Sequence, residues 1–151
     1  MNKTLLISLF LIATVGIIGL QFYGKQNNLN EQTVITAPPK PTDFTASFEI
    51  YTQGTKRSFS AAMYHNQSPD VFLQSQNPNT VYVKKAGITW ADFFGTLPFS
   101  LTKECLVTGT KQTFCTTETQ KLRFFLNNAE APGALDLAIE PEDRLRVSYG
   151  D

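Results

Sequence analysis

The hydrophobic and polar positions divide the chain into three stretches of different character. Residues 4–24 carry no charged side chain, and residues 5–20 read LLISLFLIATVGIIGL, which is apolar on every side of a helix. Residues 25–42 are polar, and residues 43–151 combine short alternating runs with turn residues. We therefore expect a transmembrane segment, a linker and one folded domain.

The apolar stretch has the length of a transmembrane helix, because about 20 helical residues cross a hydrocarbon core of roughly 30 Å. The run is longer than the apolar region of a typical signal peptide, and no small-x-small cleavage site follows it. Phe22 and Tyr23 suit the interfacial zone of a bilayer. We expect residues 1–24 to form an uncleaved signal anchor that contacts lipid through residues 4–24, with a cleaved signal peptide as the alternative.

The expected orientation places the folded domain outside the cytoplasm. Lys3 and Lys25 flank the two ends of the apolar stretch, so the charge rule is nearly balanced. A span at the extreme N-terminus usually leaves a long C-terminal part outside the cytoplasm, which predicts a single-pass protein of the cell membrane. Residues 25–42 are rich in Asn and Gln and contain three prolines, which favours an extended tether between the membrane and the domain.

Alternating runs in residues 43–151 predict short strands. Residues 44–51 place Phe44, Ala46, Phe48 and Ile50 on one face of a strand. After a turn at residues 53–55, residues 56–63 are expected to return as the second strand of a hairpin. The other expected strands are residues 71–73, 81–83, 99–107 paired with 112–118, 122–126 and 145–149.

One amphipathic helix is predicted over residues 89–97. Thr89 is a favourable N-cap, and Asp92 at the third helical position completes a pair like a capping box. Pro98 ends the helix. Four apolar side chains recur at helical spacing and form one stripe: Trp90, Phe93, Phe94 and Leu97. Aromatic residues at this spacing are typical of core packing, and a ligand groove is the alternative.

The order of these elements predicts an α+β domain. A hairpin, an amphipathic helix, further strands, a short helical turn within residues 134–139 and a last strand follow one another along the chain. This order is typical of a helix packed across one face of a mixed sheet. An immunoglobulin-like sandwich is the second choice, and the strong helix counts against it.

Residues 121–150, which read KLRFFLNNAEAPGALDLAIEPEDRLRVSYG, resemble the last half of small sulfur-carrier proteins of the β-grasp, or ubiquitin-like, fold. In that family a strand of the F-x-N type is followed by a polar turn, a short helix, an acidic turn and an edge strand. The resemblance implies a β-grasp-like domain over residues 43–151. Sulfur carriers and ubiquitin-like modifiers are adenylated at a Gly-Gly terminus, whereas this sequence reads Tyr149-Gly150-Asp151, so we do not extend that activity to it.

A second segment, VYVKKAGITWADFF, is similar to uncharacterised single-span prokaryotic proteins. This similarity implies a location and an architecture, and it implies no activity.

Composition and charge narrow the classes of function. The chain of 151 residues has 13 basic and 13 acidic side chains, which argues against a nucleic-acid-binding protein with its clustered basic excess. A hydrophobic fraction of 42% with only two cysteines argues against a disordered chain or a Cys-dense scaffold. The sequence also contains no G-x-S-x-G, P-loop or G-x-G-x-x-G motif.

The two cysteines lie in the expected hairpin KECLVTGTKQTFC. If the turn centres on Thr110, Cys105 and Cys115 are directly opposed at about 4.5–5.5 Å, which is within disulfide range. We predict a structural disulfide between them, with two buried thiols as the alternative. A redox-active pair is disfavoured, because the spacing is not C-x-x-C.

The sharpest metal hypothesis concerns Met63 and His65. On a strand these two side chains would lie on one face, and imidazole with thioether suits Cu(I). The hypothesis is a copper-binding module, and the alternative is a surface histidine beside a packed methionine. We expect no other cofactor.

The function expected from the sequence is therefore a non-catalytic interaction or scaffold domain. A protein partner would contact an exposed sheet face, where Tyr82 and Phe125 are expected to point outward, or an exposed sheet edge at residues 145–149. The acidic residues around Glu142 are expected to form a solvated turn that pairs with Arg144 and Arg146. A copper module is the first alternative, and a thiol oxidoreductase is the second.

Overall fold

A computed structural model describes residues 41–150 of the protein. Strands dominate this part of the chain and one short α-helix interrupts them, which confirms the expected α+β class. The strands are β1 (Pro41–Thr52), β2 (Thr55–Lys56), β3 (Val71–Gln74), β4 (Asn77–Lys85), β5 (Ser100–Leu101), β6 (Cys105–Val107), β7 (Thr113–Cys115), β8 (Lys121–Leu126), β9 (Ala129–Glu130) and β10 (Arg144–Gly150). The helices are α1 (Trp90–Gly95) and two 3₁₀ turns, Ala62–Tyr64 and Ala134–Asp136.

The predicted anchor, residues 4–24, lies outside the described residues. Within residues 41–150 no helix is long and apolar enough to cross a membrane. Most of the predicted linker also lies outside the described residues. Its last two positions belong to β1, since this strand begins at Pro41.

The main sheet is mixed, with a parallel pair of strands at its centre. Its order is β3-β4-β1-β10-β8-β9, and β2 pairs with the far end of β1. β1 and β10 run parallel, with Phe48 opposite Leu145 and Ile50 opposite Val147, and the other neighbours in the sheet are antiparallel. The first and last described strands are therefore paired side by side.

The expectation of an exposed edge at residues 145–149 is wrong. β10 lies between β1 and β8, and it is paired with both of them. Alternation of apolar and polar residues shows which face of a strand is buried, whereas the number of its neighbours depends on pairings between distant segments. A partner cannot extend the sheet at β10.

The expected hairpin strand over residues 56–63 is also wrong beyond its first residue. Only Thr55–Lys56 pairs with β1, and the chain then leaves the sheet. β4 pairs with the same edge of β1 as far as Ser47. Just beyond that point, the Asn79 side chain donates to the Phe48 carbonyl at 3.1 Å. Pairing with the longer, more distant strand β4 therefore leaves no space for a long local hairpin.

Two hairpin turns contain residues with positive φ angles, and Gly or Asn occupies three of these four positions. Gln53 and Gly54 join β1 to β2 with φ values of 51° and 76°, and Asn127 and Asn128 join β8 to β9 with φ values of 52° and 70°. Two consecutive residues with positive φ are the geometry of a two-residue hairpin turn, for which Gly and Asn are favoured.

The hydrophobic core lies between the main sheet and α1. We call the sheet face that carries Phe48 and Val147 the inward face, and the opposite face the outward face. Phe48 is 1% exposed, and its ring centroid lies 5.3 Å from that of Phe93 and 5.5 Å from that of Phe94, both on α1. Aromatic pairs at these distances add to the free energy gained by burying their area.

The predicted helix stripe forms part of this core. Trp90, Phe93, Phe94 and Leu97 are all buried, so the stripe is not a ligand groove. The helix ends at Gly95, two residues before its expected end, because the next turn tightens: the Leu97 amide donates to the Phe94 carbonyl.

The start of α1 has the predicted capping box. The Thr89 hydroxyl oxygen accepts from the Asp92 amide at 3.1 Å, and an Asp92 carboxylate oxygen accepts from the Thr89 amide at 2.9 Å. The Thr89 amide, and then the Thr89 hydroxyl, hold the pKa of Asp92 below its usual value, since both donate to the charged carboxylate.

This lowered pKa predicts a pH-dependent contribution to stability. Because folding lowers the pKa, Asp92 stabilises the fold above its unfolded value of about 3.9, and the contribution is lost as the pH falls through the folded value. Urea unfolding of the full chain at a series of pH values should show that the free energy of unfolding falls less steeply toward acid pH in Asp92→Asn than in the wild type. Glu118→Gln, which changes an exposed turn residue, is the control. Equal pH profiles for the wild type and Asp92→Asn would contradict this role.

Candidate functional site

The two residues of the metal hypothesis do not lie on a strand. Met63 belongs to the 3₁₀ turn and its side chain is 51% exposed, while His65 follows the turn. His65 Nε2 lies 3.0 Å from the Phe59 carbonyl oxygen. A carbonyl only accepts, so Nε2 carries the proton and Nδ1 is the nitrogen that has a lone pair in the neutral ring.

The strand geometry assumed for the metal hypothesis is therefore wrong, and copper binding by Met63 and His65 stays a prediction. Between residues 41 and 150 no group of three or more His, Cys, Asp or Glu side chains is arranged to hold a metal ion.

The predicted disulfide is confirmed. Cys105 of β6 and Cys115 of β7 are directly opposed in an antiparallel pair, and a disulfide joins them with their Cα atoms 4.1 Å apart. The bridge closes a hairpin in a small separate sheet of order β5-β6-β7. It links the two strands of one hairpin, which is the arrangement of a structural staple.

The acidic turn was expected to be solvated, but its residue Asp143 is buried. This side chain is 7% exposed, and its carboxylate accepts from Asn127 Nδ2 at 2.8 Å and from the Glu140 amide at 3.0 Å. The carboxylate thus joins the start of β10 to the β8–β9 turn. Among the described residues neither Arg144 nor Arg146 forms an ion pair with this turn.

Four basic side chains lie together on the outward face of the sheet, and we call them the cationic face: Lys121, Arg123, Arg144 and Arg146. Lys121 and Arg123 alternate with buried residues of β8, and Arg144 and Arg146 alternate with buried residues of β10. The antiparallel register sets Lys121 opposite Gly150 and Arg123 opposite Ser148. All four side chains are exposed.

A depression of about 260 Å³ opens among these side chains. Ser148 and Gly150 are small, so they leave a gap on the outward side of β10 between longer neighbours. The residues around the gap are Tyr51, Gly54, Lys121, Arg123, Phe125 and Arg146. None of its lining residues is an acid, so the depression is positively charged.

A second depression of about 400 Å³ continues along β10. It shares Phe125 and Arg146 with the first, and Arg144 and Asn128 lie further along it. The two depressions therefore adjoin each other along the outward side of β10, and we call them together the channel.

Among the described residues none of the four side chains of the cationic face forms an ion pair, although Glu49 lies opposite Arg146 in the register and Glu130 lies near Lys121 and Arg123. The ion pairs in the described part of the chain join Lys56 to Glu49, Lys84 to Asp43, Lys85 to Asp70 and Lys103 to Asp136. The Lys56 ammonium is hydrogen-bonded to Glu49 and is the main cause of the lowered pKa of that carboxyl. Glu49, which lines the second depression, is thus already paired with Lys56.

Aromatic rings line the channel beside the charges. The Arg146 guanidinium lies 4.6 Å from the centroid of the Phe125 ring, which is a cation–π contact. Phe125 and Tyr82 both lie on the outward face, as expected, and Tyr82 stacks on Phe72 with ring centroids 5.6 Å apart.

A separate cavity of about 280 Å³ lies beside the first 3₁₀ turn, Ala62–Tyr64. Its lining includes Phe59, Met63, Tyr64, Phe99 and Leu106. This cavity accounts for the exposure of Met63, which lies at its rim within reach of the β6–β7 turn. Arg57, Ser58, Thr108 and Thr110 also line it, so its chemistry is mixed.

Sequence reasoning missed the cationic face as a unit. Alternation places Lys121 with Arg123 on one side of β8, and Arg144 with Arg146 on one side of β10. The signal was therefore present within each strand. What joins the two pairs is the register between β8 and β10, which local patterns do not specify.

Known proteins give no guide to which of these surfaces functions. Comparisons of the chain with protein-family models, with curated proteins and with solved structures find no match. The function is therefore argued from the chemistry and placement of the chain's own residues.

Proposed function

We propose that this protein is a membrane-anchored, extracytoplasmic, non-catalytic interaction domain that contacts a protein partner through the outward face of its sheet. The observation that carries the proposal is the channel along β10, where exposed cations and aromatic side chains surround two adjoining depressions. Surfaces that combine arginine and aromatic residues are enriched at protein interfaces.

The membrane location is supported by sequence and by one covalent feature. Residues 4–24 carry no charge over the length of a transmembrane helix. The Cys105–Cys115 bridge lies in the same chain, and disulfides persist mainly in oxidising compartments. Together these features favour a domain held on the outer side of the membrane.

The non-catalytic part of the proposal is supported by how the titratable side chains are used. His65 donates to a backbone carbonyl, Asp143 fastens a turn, and Asp92 caps a helix. Each of these groups serves a structural partner, and none lies in the cationic channel.

A β-grasp-like fold is part of the same proposal. Its supports are the mixed sheet, the helix packed on the inward face, and the resemblance of residues 121–150 to that fold. The fold itself does not specify an activity.

The proposed location predicts three results in cells that express the full chain. The protein should sediment with membranes and resist carbonate extraction, protease added outside the cytoplasm should digest the domain, and its cysteines should react with maleimide only after reduction. A chain that lacks residues 4–24 is the control and should leave the membrane fraction. A mature N-terminus downstream of Gly24, or a domain protected from external protease, would overturn the proposal.

A further inference from the structure

We infer that the cationic face binds an extended acidic polypeptide segment, whose carboxylates enter the two depressions along β10. This inference names the chemistry of the partner and rests on the proposed interaction function. It is carried by three observations: the clustering of the four cations, the shape of the channel, and the spacing of the charges.

The charge argues for an anionic ligand. Lys121, Arg123 and Arg146 border a depression that has no acidic lining residue. Arg144 and Arg146 line the second depression, where the acidic lining residue, Glu49, is hydrogen-bonded to Lys56. Guanidinium groups bind carboxylates through two parallel hydrogen bonds, and these charge-assisted bonds are stronger than neutral ones.

The shape argues for side chains that enter the surface. The gap above Ser148 and Gly150 is walled by the rings of Tyr51 and Phe125. A short carboxylate side chain can place its methylene stem against these rings and its charge among the cations. A flat lipid surface would meet the rim of such a depression and leave its floor empty.

The spacing argues for an extended polypeptide. The cations on each strand are two residues apart, Lys121 with Arg123 and Arg144 with Arg146. Successive side chains on one face of a strand are therefore about 6.6–6.8 Å apart. An extended segment with an acid at every second residue has the same repeat, so its carboxylates match successive cations.

The test measures binding of a defined acidic probe to the full chain in nanodiscs of zwitterionic lipid. The probe is a fluorescent eight-residue peptide in which Asp and Ser alternate, and the neutral probe alternates Asn and Ser. Fluorescence anisotropy should show saturable binding of the acidic peptide alone. Raising the salt from about 0.1 M to about 1 M should weaken it, since the Debye length falls from about 10 Å to about 3 Å.

Two double variants with the same change in net charge distinguish binding at the cationic face from non-specific electrostatic attraction. Arg123→Gln with Arg146→Gln should weaken binding by about tenfold or more, because each arginine supplies charge-assisted hydrogen bonds. Lys84→Gln with Lys111→Gln removes two positive charges away from the channel and should change binding by less than about twofold. Far-UV circular dichroism checks that both variants are folded.

Three outcomes would overturn the inference. These are absence of acidic-peptide binding by the wild type, an equal loss in both double variants, and binding to phosphatidylglycerol vesicles through Arg123 and Arg146 without peptide binding. If the membrane and protease results hold while the peptide fails, the partner chemistry falls and the proposed location stands. If the peptide binds while external protease cannot reach the domain, the partner chemistry stands and the proposed location falls.

Discussion

Replacement of Phe48 with alanine should lower the free energy of unfolding by about 3–5 kcal/mol. This side chain is 1% exposed at the centre of the parallel pair β1–β10, and its ring lies against those of Phe59, Phe93 and Phe94. Its removal leaves a cavity between the sheet and α1 and removes three aromatic contacts. Urea unfolding of the full chain in detergent, followed by Trp90 fluorescence, measures the change.

A second phenylalanine on the opposite face provides the matched control. Phe125→Ala removes the same side chain from the outward face, where it is only partly buried and contacts Arg146. We expect a loss of about 1 kcal/mol or less, in keeping with an exposed cation–π contact. Similar losses in both variants would contradict the division between inward and outward faces.

Removal of the disulfide is the second change with a large expected effect. Cys105→Ser with Cys115→Ser should lower the free energy of unfolding by about 3 kcal/mol, which is the chain-entropy value for a ring of this order of size. The bridge closes a hairpin in the small three-stranded sheet, where β6 and β7 pair over only three residues each. When the bridge is absent, this hairpin is held by these short pairings and by the two-residue pairing of β5 with β6.

Reduced wild type provides the control for that variant. Full reduction should bring the unfolding midpoint of the wild type to that of the double serine variant, since both lack the same bond. Mild treatment with glutathione should leave the bridge intact, as expected for a structural disulfide. Ready reduction, together with thiol–disulfide exchange activity that both cysteines require, would favour the oxidoreductase alternative.

Local sequence signals predicted the local features of this fold. Thr89 and Asp92 form the capping box because an N-cap and its third following residue are neighbours whatever surrounds them. Cys105 and Cys115 face each other because a short turn fixes the register of a hairpin. The burial of Leu145 and Val147 also follows from alternation.

Features that depend on distant pairings were not predictable in the same way. Alternation in β10 gave no sign that the strand has a neighbour on each side. Residues 57–63 had no local feature to show that the chain would leave the sheet and that β4 would pair with β1 instead. The outward cations of β8 and β10 become one surface only through their register, so the candidate site emerged from the three-dimensional arrangement.

The central position of β10 has a consequence for how the protein is made. A ribosome releases β1 well before β10, yet these two strands must lie side by side. Until Arg144–Gly150 emerges, β1 and β8 have no strand between them, and the edges by which they pair with β10 stay unpaired. Such long-range closure makes folding slow and leaves the nascent chain open to aggregation or holdase binding. Folding of this domain is therefore expected to follow, and not accompany, its synthesis.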